Sequence, residues 1–181
     1  MTGDPVVVVT PHNETVRSEF GQAFRRHMWN TARRRVYVDW RSPGGTSEIS
    51  RYLASEFTAA FRTHWTARLG RRWNDEIAFA FSNPAGDRET ADPEQRLARQ
   101  DFLTSQVGIG IDVMFGGGSV ELGIQADAGR LVDAGILRAH PERFGPRGIP
   151  EERGSISTSR GTPPIRLRGT VSGALSWYGV R

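Results

Sequence analysis

The period of apolar positions changes several times along the chain, and each change marks a new element. Val6-Val9 is an unbroken β-branched run that reads as a fully buried strand. From Glu14 the spacing becomes helical through Val16, Phe20, Ala23, Phe24 and Met28, with Asn13 placed to cap the helix. Val36, Val38 and Trp40 then alternate with Tyr37 and Asp39, as in a strand, and SerProGlyGly ends it. Thr46 or Ser47 is placed to cap a second helix carrying Ile49, Tyr52, Leu53, Phe57 and Phe61, with Glu48 in its first turn. The rhythm breaks from about residue 66 to 93, which reads as an insertion with at most short helices. Helical spacing returns over Glu94-Ser105, followed by a strand over Ile109-Phe115, a helix over Val120-Ala128 and a short strand or extended turn in ArgLeuValAsp.

This βαβαβ order predicts an α/β fold, an open, mostly parallel sheet with helices on both faces. Each apolar run ends in a turn of small and polar residues that opens a helix: Thr10, Pro11, His12 and Asn13; Gly45, Thr46 and Ser47; and Phe115, Gly116, Gly117 and Gly118. Parallel strands deliver such loops to one sheet edge, where helix N-termini offer unpaired backbone N–H groups and the positive end of the macrodipole. A ligand there would be an anion, or a metal ion bound together with an anion.

Composition narrows the class. At 181 residues, 37% apolar and 24% charged, the chain suits one full domain. Its longest apolar run is far short of the roughly 18 residues a membrane helix needs. The start MetThrGlyAspPro lacks a basic n-region and an apolar h-region, so no signal peptide is expected in the chain as given. The absence of cysteine removes disulfides, thiolate nucleophiles and Cys-based metal sites. All 24 basic residues are arginine, and the surplus lies late: six arginines from Arg147 onward face only Glu151 and Glu152. The rest is close to neutral. ArgArgArg at 33–35 is the one tight cluster and shows no interleaved aromatic platform, so no nucleic-acid partner is expected.

The candidate chemistry is that of binding. His12 could ligate a metal or hydrogen-bond a ligand, or simply pack within its loop. GlyGlyThrSer reads as an anion site because two glycines admit close approach and two hydroxyls stand at a helix start; the alternative is an ordinary capped turn. PheGlyGlyGlySer lacks the lysine of a P-loop and the spacing of a dinucleotide fingerprint. His27, His64 and His140 have no partner at zinc spacing, and no nucleophile–base pair stands out, so no catalytic residues and no cofactor are assigned. Asp39 and Asp112, inside strand patterns, are expected to be satisfied by a neighbouring loop rather than to be catalytic.

ValValValThrProHisAsnGlu, ValAspTrpArg with GlyGlyThrSerGluIle, GlyIleAspVal with PheGlyGlyGly, and AlaGlyArgLeuValAspAlaGly occur in this order over roughly residues 6–150. Together they resemble the N-terminal lobe of bacterial extracellular solute-binding proteins, the type II periplasmic-binding proteins of ABC importers, and within them the subset associated with ferric iron, thiamine and polyamines. GlyAlaLeuSerTrpTyrGlyVal resembles the segment by which that family's chain leaves its first lobe for the hinge. The resemblance implies a solute held between two lobes, an ABC permease as membrane partner, and a periplasmic or extracellular location. It implies that the three loops named above line the cleft, that Ser176 and Trp177 lie near the hinge, and that His12 is the candidate ligand if ferric iron is the cargo.

The chain departs from that family in two places. No second lobe follows the hinge-like residues 172–181, and residues 151–171 form an Arg/Ser/Pro-rich connector of the kind a reading-frame disturbance in GC-rich DNA would produce. A truncated receptor, binding weakly for want of an opposing wall, is the expectation. The alternative is a small doubly wound enzyme or regulatory domain using the same loops on a phosphorylated metabolite.

Overall fold

The computed structural model describes residues 3–132 and the strand 177–180. Residues 133–176 lie outside it, and with them the expected connector and Ser176. Strands β1 (Asp4–Val9), β2 (Val36–Arg41) and β3 (Val113–Phe115) alternate with helices α1 (Glu14–Ala32), α2 (Thr46–Thr63), α3 (Asp75–Ala80) and α4 (Pro93–Thr104). Helix α5 (Ser119–Asp127), β4 (Leu131–Val132) and β5 (Trp177–Val180) complete the described elements. The sheet order is β2-β1-β3-β5-β4, with β1 parallel to both β2 and β3, and β5 antiparallel to its two neighbours. Four strands therefore run one way and β5 runs against them, giving an open, mostly parallel α/β sheet.

Alternation along the strands sends side chains to two faces. Val9 and Met114 are register partners, are fully buried, and join the main core with Ile49, Leu53, Phe57, Phe102 and Leu122 from α2, α4 and α5. Phe115 points the other way, where its ring meets Phe20 of α1 at 4.9 Å and Trp40 at 6.3 Å. Helices thus cover both faces, but unequally. Helix α2 buries Ile49, Leu53, Phe57 and Phe61 at successive four-residue steps, whereas α1 has no fully buried residue. Val6 and Val7 are accordingly only half-buried, and the expected fully buried strand reaches that state at Val8 and Val9 alone.

The stretch read as an insertion holds only short helices, as expected, and contributes side chains to the core. After α2 the chain makes one π-helical turn (His64–Arg68), which buries Trp65 and lets its indole N–H donate to the Arg72 carbonyl at 3.0 Å. Trp73, Ile77 and Phe81 then follow at four-residue steps, the last two fully buried. Phe61 is the hub, with ring centroids of Phe81 at 4.8 Å, Phe102 at 5.4 Å, Trp65 at 5.7 Å and Trp73 at 6.1 Å. His64 closes this cluster by bonding Asp101 at 2.8 Å while stacking on Phe61.

Two buried arginines act as connectors. Arg99 donates to the carbonyls of Phe81, Asp127 and Ala128 at 3.2, 2.7 and 2.8 Å, so it satisfies carbonyls at the C-terminus of α5 that the helix itself leaves open. Arg130 donates to Gln125 Oε1 at 2.9 Å and Ser82 Oγ at 3.4 Å, and its burial, together with the nearby Arg99 charge, lowers its pKa from the ordinary arginine value.

The third strand is shorter than its apolar pattern suggested. Gly110 takes a positive φ of 68°, and Asp112 instead ties to β1 by accepting from the Val7 N–H at 2.8 Å through Oδ2 and donating its own N–H to the Val7 carbonyl at 2.9 Å. Regular pairing resumes only at Val113.

Candidate ligand-binding edge

Because β1, β2 and β3 are parallel, the loops following them emerge along one edge. The first loop is fixed from within: Thr10 is wholly buried, its N–H donates to the Arg41 carbonyl at 2.9 Å, and its Oγ1 accepts from the His12 N–H at 3.2 Å. Pro11 and His12 are half-buried, and Asn13 caps α1 through Oδ1 to the Val16 N–H at 3.1 Å, as its position before the helical run requires.

The His12 ring lies 4.9 Å from the Phe115 ring and occupies the place where residue 116 would carry a Cβ. Gly116, at φ 87°, is the residue type that permits both this backbone and this contact. Gly117, at φ 100°, turns the third loop toward the second, and a Cβ there would stand 3.4 Å from Thr46 Cγ2. His12, Gly116, Gly117 and Thr46 therefore lie near one another across the three loops. Ser50 of α2 extends it by donating to Glu121 of α5 at 3.0 Å. The register partner of Phe115 is Trp177, so β5 begins at this same edge.

The second loop differs from expectation in its details. Gly45, not Thr46 or Ser47, is the residue preceding α2, and no side chain caps that helix. The space above the glycines is taken by the chain itself: a Cβ on Gly44 would lie 2.9 Å from the Glu48 side chain, and one on Gly45 would lie 3.1 Å from Glu48 Oε2. Glu48 stands three residues after Gly45, in the first turn of α2, where a carboxylate complements the macrodipole, so the glycines admit an internal anion. The i, i+3 spacing of Gly45 and Glu48 carries that signal in the sequence.

The third loop is more open. Gly118 precedes α5, whose first turn has no side-chain cap, and a Cβ at Gly118 would meet nothing within 4 Å. Gly117, Gly118 and Ser119 are exposed. The first residues of this nine-residue helix are thus exposed and its leading backbone N–H groups have no side-chain cap. The sequence pattern points to the three glycines but not to Ser50 and Glu121, whose pairing depends on the packing of α2 against α5. Asp39 bonds Arg41 at 2.7 Å on the strand leading into this edge.

Among the described residues no group of three or more His, Asp or Glu side chains gathers where it could hold a metal ion, and no helix is long and apolar enough to cross a membrane. Comparison with family models, with curated proteins and with solved structures finds no match.

Proposed function

We propose that the chain is a solute-binding lobe of the ABC-importer type, acting outside the cytoplasm by recognition and without chemistry, on a small anion or metal–anion pair. The observation that supports this most directly is the convergence of three strand-end loops on one edge, with the uncapped N-terminus of α5 exposed at Gly118–Val120. A carboxylate, Glu48, already occupies the N-terminus of α2, which makes a metal–anion pair a better fit than a bare anion: the cation would be tolerated beside Glu48 and His12, and the anion would meet the α5 N–H groups. Strand β5 supports the same reading, since the residues that resemble the family's exit toward its hinge pair with β3 and β4. An ABC permease is the membrane partner under this reading, and an opposing wall for the ligand would come from a second lobe.

The test is a thermal-shift screen of the purified chain against ferric citrate, ferric phosphate, thiamine, spermidine and sugar phosphates, repeated on Gly118→Asp. A ligand of the native state raises the melting temperature by mass action. Aspartate at this position is a good helix cap that would fill the N–H groups from within, so the variant should melt no lower than the parent and lose the shift. A cooperative melt moved by none of the importer solutes would overturn the proposal, and a shift with sugar phosphates alone would transfer the edge to the enzyme or regulatory reading.

A further inference from the structure

At the opposite end of the strands the structure assembles a second polar feature. Helix α1 ends at Ala32, and Arg33 follows in the left-handed conformation, φ 53°, with its N–H donating to the Trp29 carbonyl at 3.1 Å. Glycine is the residue type that takes this position without strain, so an arginine here is retained at a steric cost. Its guanidinium lies 5.6 Å from the Trp29 ring centroid and that of Arg35 lies 5.8 Å from it. Trp29, 44% exposed, is thus the aromatic that the ArgArgArg run lacks in linear sequence.

Trp29, Arg25, Arg34, Arg35 and Val36 line an open cavity of about 300 Å³. Arg25 is four residues before Trp29 and shares its helix face. Arg34 pairs with Asp4 at 2.6 Å; among the described residues, Arg25, Arg33 and Arg35 form no ion pair. Arg25 and Arg35 line the cavity and Arg33 stands over the Trp29 ring beside it, and their charges far outweigh the roughly half negative charge of a helix C-terminus, which makes the cavity electropositive. Stacking holds a planar guanidinium by its face and leaves its N–H edge as a fork suited to paired oxyanion oxygens.

We propose that this Trp29-centred cavity is a binding site for a phosphate-bearing anion, separate from the ligand edge at the other end of the sheet. A free phosphorylated compound and a nucleic-acid strand supply the same phosphate oxygens, and they are separated by experiment. The full chain is titrated calorimetrically with pyrophosphate, and by fluorescence anisotropy with a short single-stranded oligodeoxythymidine, at about 50 and about 200 mM salt. The variants are Arg33→Gly with Arg35→Gln, and Arg25→Gln. The first removes a left-handed strain and is expected to fold at least as well, which its melting curve checks.

Each lost charge-assisted contact should weaken binding by at least about 10-fold, and the remaining affinity should fall less steeply with salt. Binding of pyrophosphate identifies a free phosphorylated compound as the source; binding of the strand alone identifies nucleic acid. Failure of both probes to bind the folded parent chain overturns the proposal, as does binding that the folded variants retain in full. Gly118→Asp should leave this binding unchanged, which keeps its outcome independent of the receptor reading.

Discussion

Replacing Gly116 by alanine tests the packing of the candidate edge at its tightest point. The added methyl meets two obstacles: a left-handed backbone at φ 87°, and the His12 imidazole standing where the Cβ must go. Left-handed strain on a non-glycine residue costs about 1–2 kcal/mol. Displacing His12 sacrifices its contact with the Phe115 ring, an aromatic pair of about 0.5–1.5 kcal/mol. The sum, about 1.5–3.5 kcal/mol, corresponds to a fall in melting temperature of roughly 3–14 °C for a chain of this size. The assay is urea denaturation followed by tryptophan fluorescence, read as a midpoint shift at unchanged slope. A double-mutant cycle with His12→Ala separates the two terms. In the His12→Ala background the glycine substitution should cost only the strain, about 1–2 kcal/mol. Gly123→Ala, inside α5 with nothing within 4 Å of the new methyl, is the control and should stabilise by about 0.5–1 kcal/mol. A Gly116→Ala cost below that of an ordinary surface change, or a cost unaltered by removing the imidazole, would refute the contact on which the edge is built.

Phe61→Ala empties the centre of the aromatic cluster and should cost about 3–5 kcal/mol, seen as a lowered urea midpoint with loss of near-ultraviolet circular dichroism. Arg99→Gln leaves buried carbonyls of Phe81, Asp127 and Ala128 without their donors and should destabilise by at least about 2 kcal/mol. Arg130→Gln should cost clearly less, because it removes a cation whose charged form burial and Arg99 already disfavour; equal midpoints for the two variants would contradict this account.

Much of the fold could be read locally. Asn13 announced the start of α1, the Ile49-Leu53-Phe57-Phe61 series announced α2, and alternation at Val36-Trp40 announced β2, because each depends on neighbours within one or two turns. Misreadings arose where distant packing overrode the local pattern. The polar punctuation of residues 66–93 concealed Trp73, Ile77 and Phe81, whose four-residue spacing acquires meaning only against the rings of Phe61 and Phe102. The apolar run before Phe115 was longer than the strand because Gly110 and Asp112 bend the chain to meet Val7.

The candidate site divides the same way. The sequence by itself determined which residues lie at strand ends and helix starts, since chain direction and hydrophobic period decide that much. Only the tertiary structure decided what fills the space beside each glycine: His12 at Gly116, Thr46 near Gly117, Glu48 over Gly44 and Gly45, and nothing at Gly118. It also decided that β5 enters the sheet between β3 and β4, and that Trp29 sits among arginines four to six residues further along. The reason is physical. Periodicity reports the environment a side chain needs, whereas its actual neighbour is set by how separate elements close-pack, and close packing leaves room for one arrangement at a time.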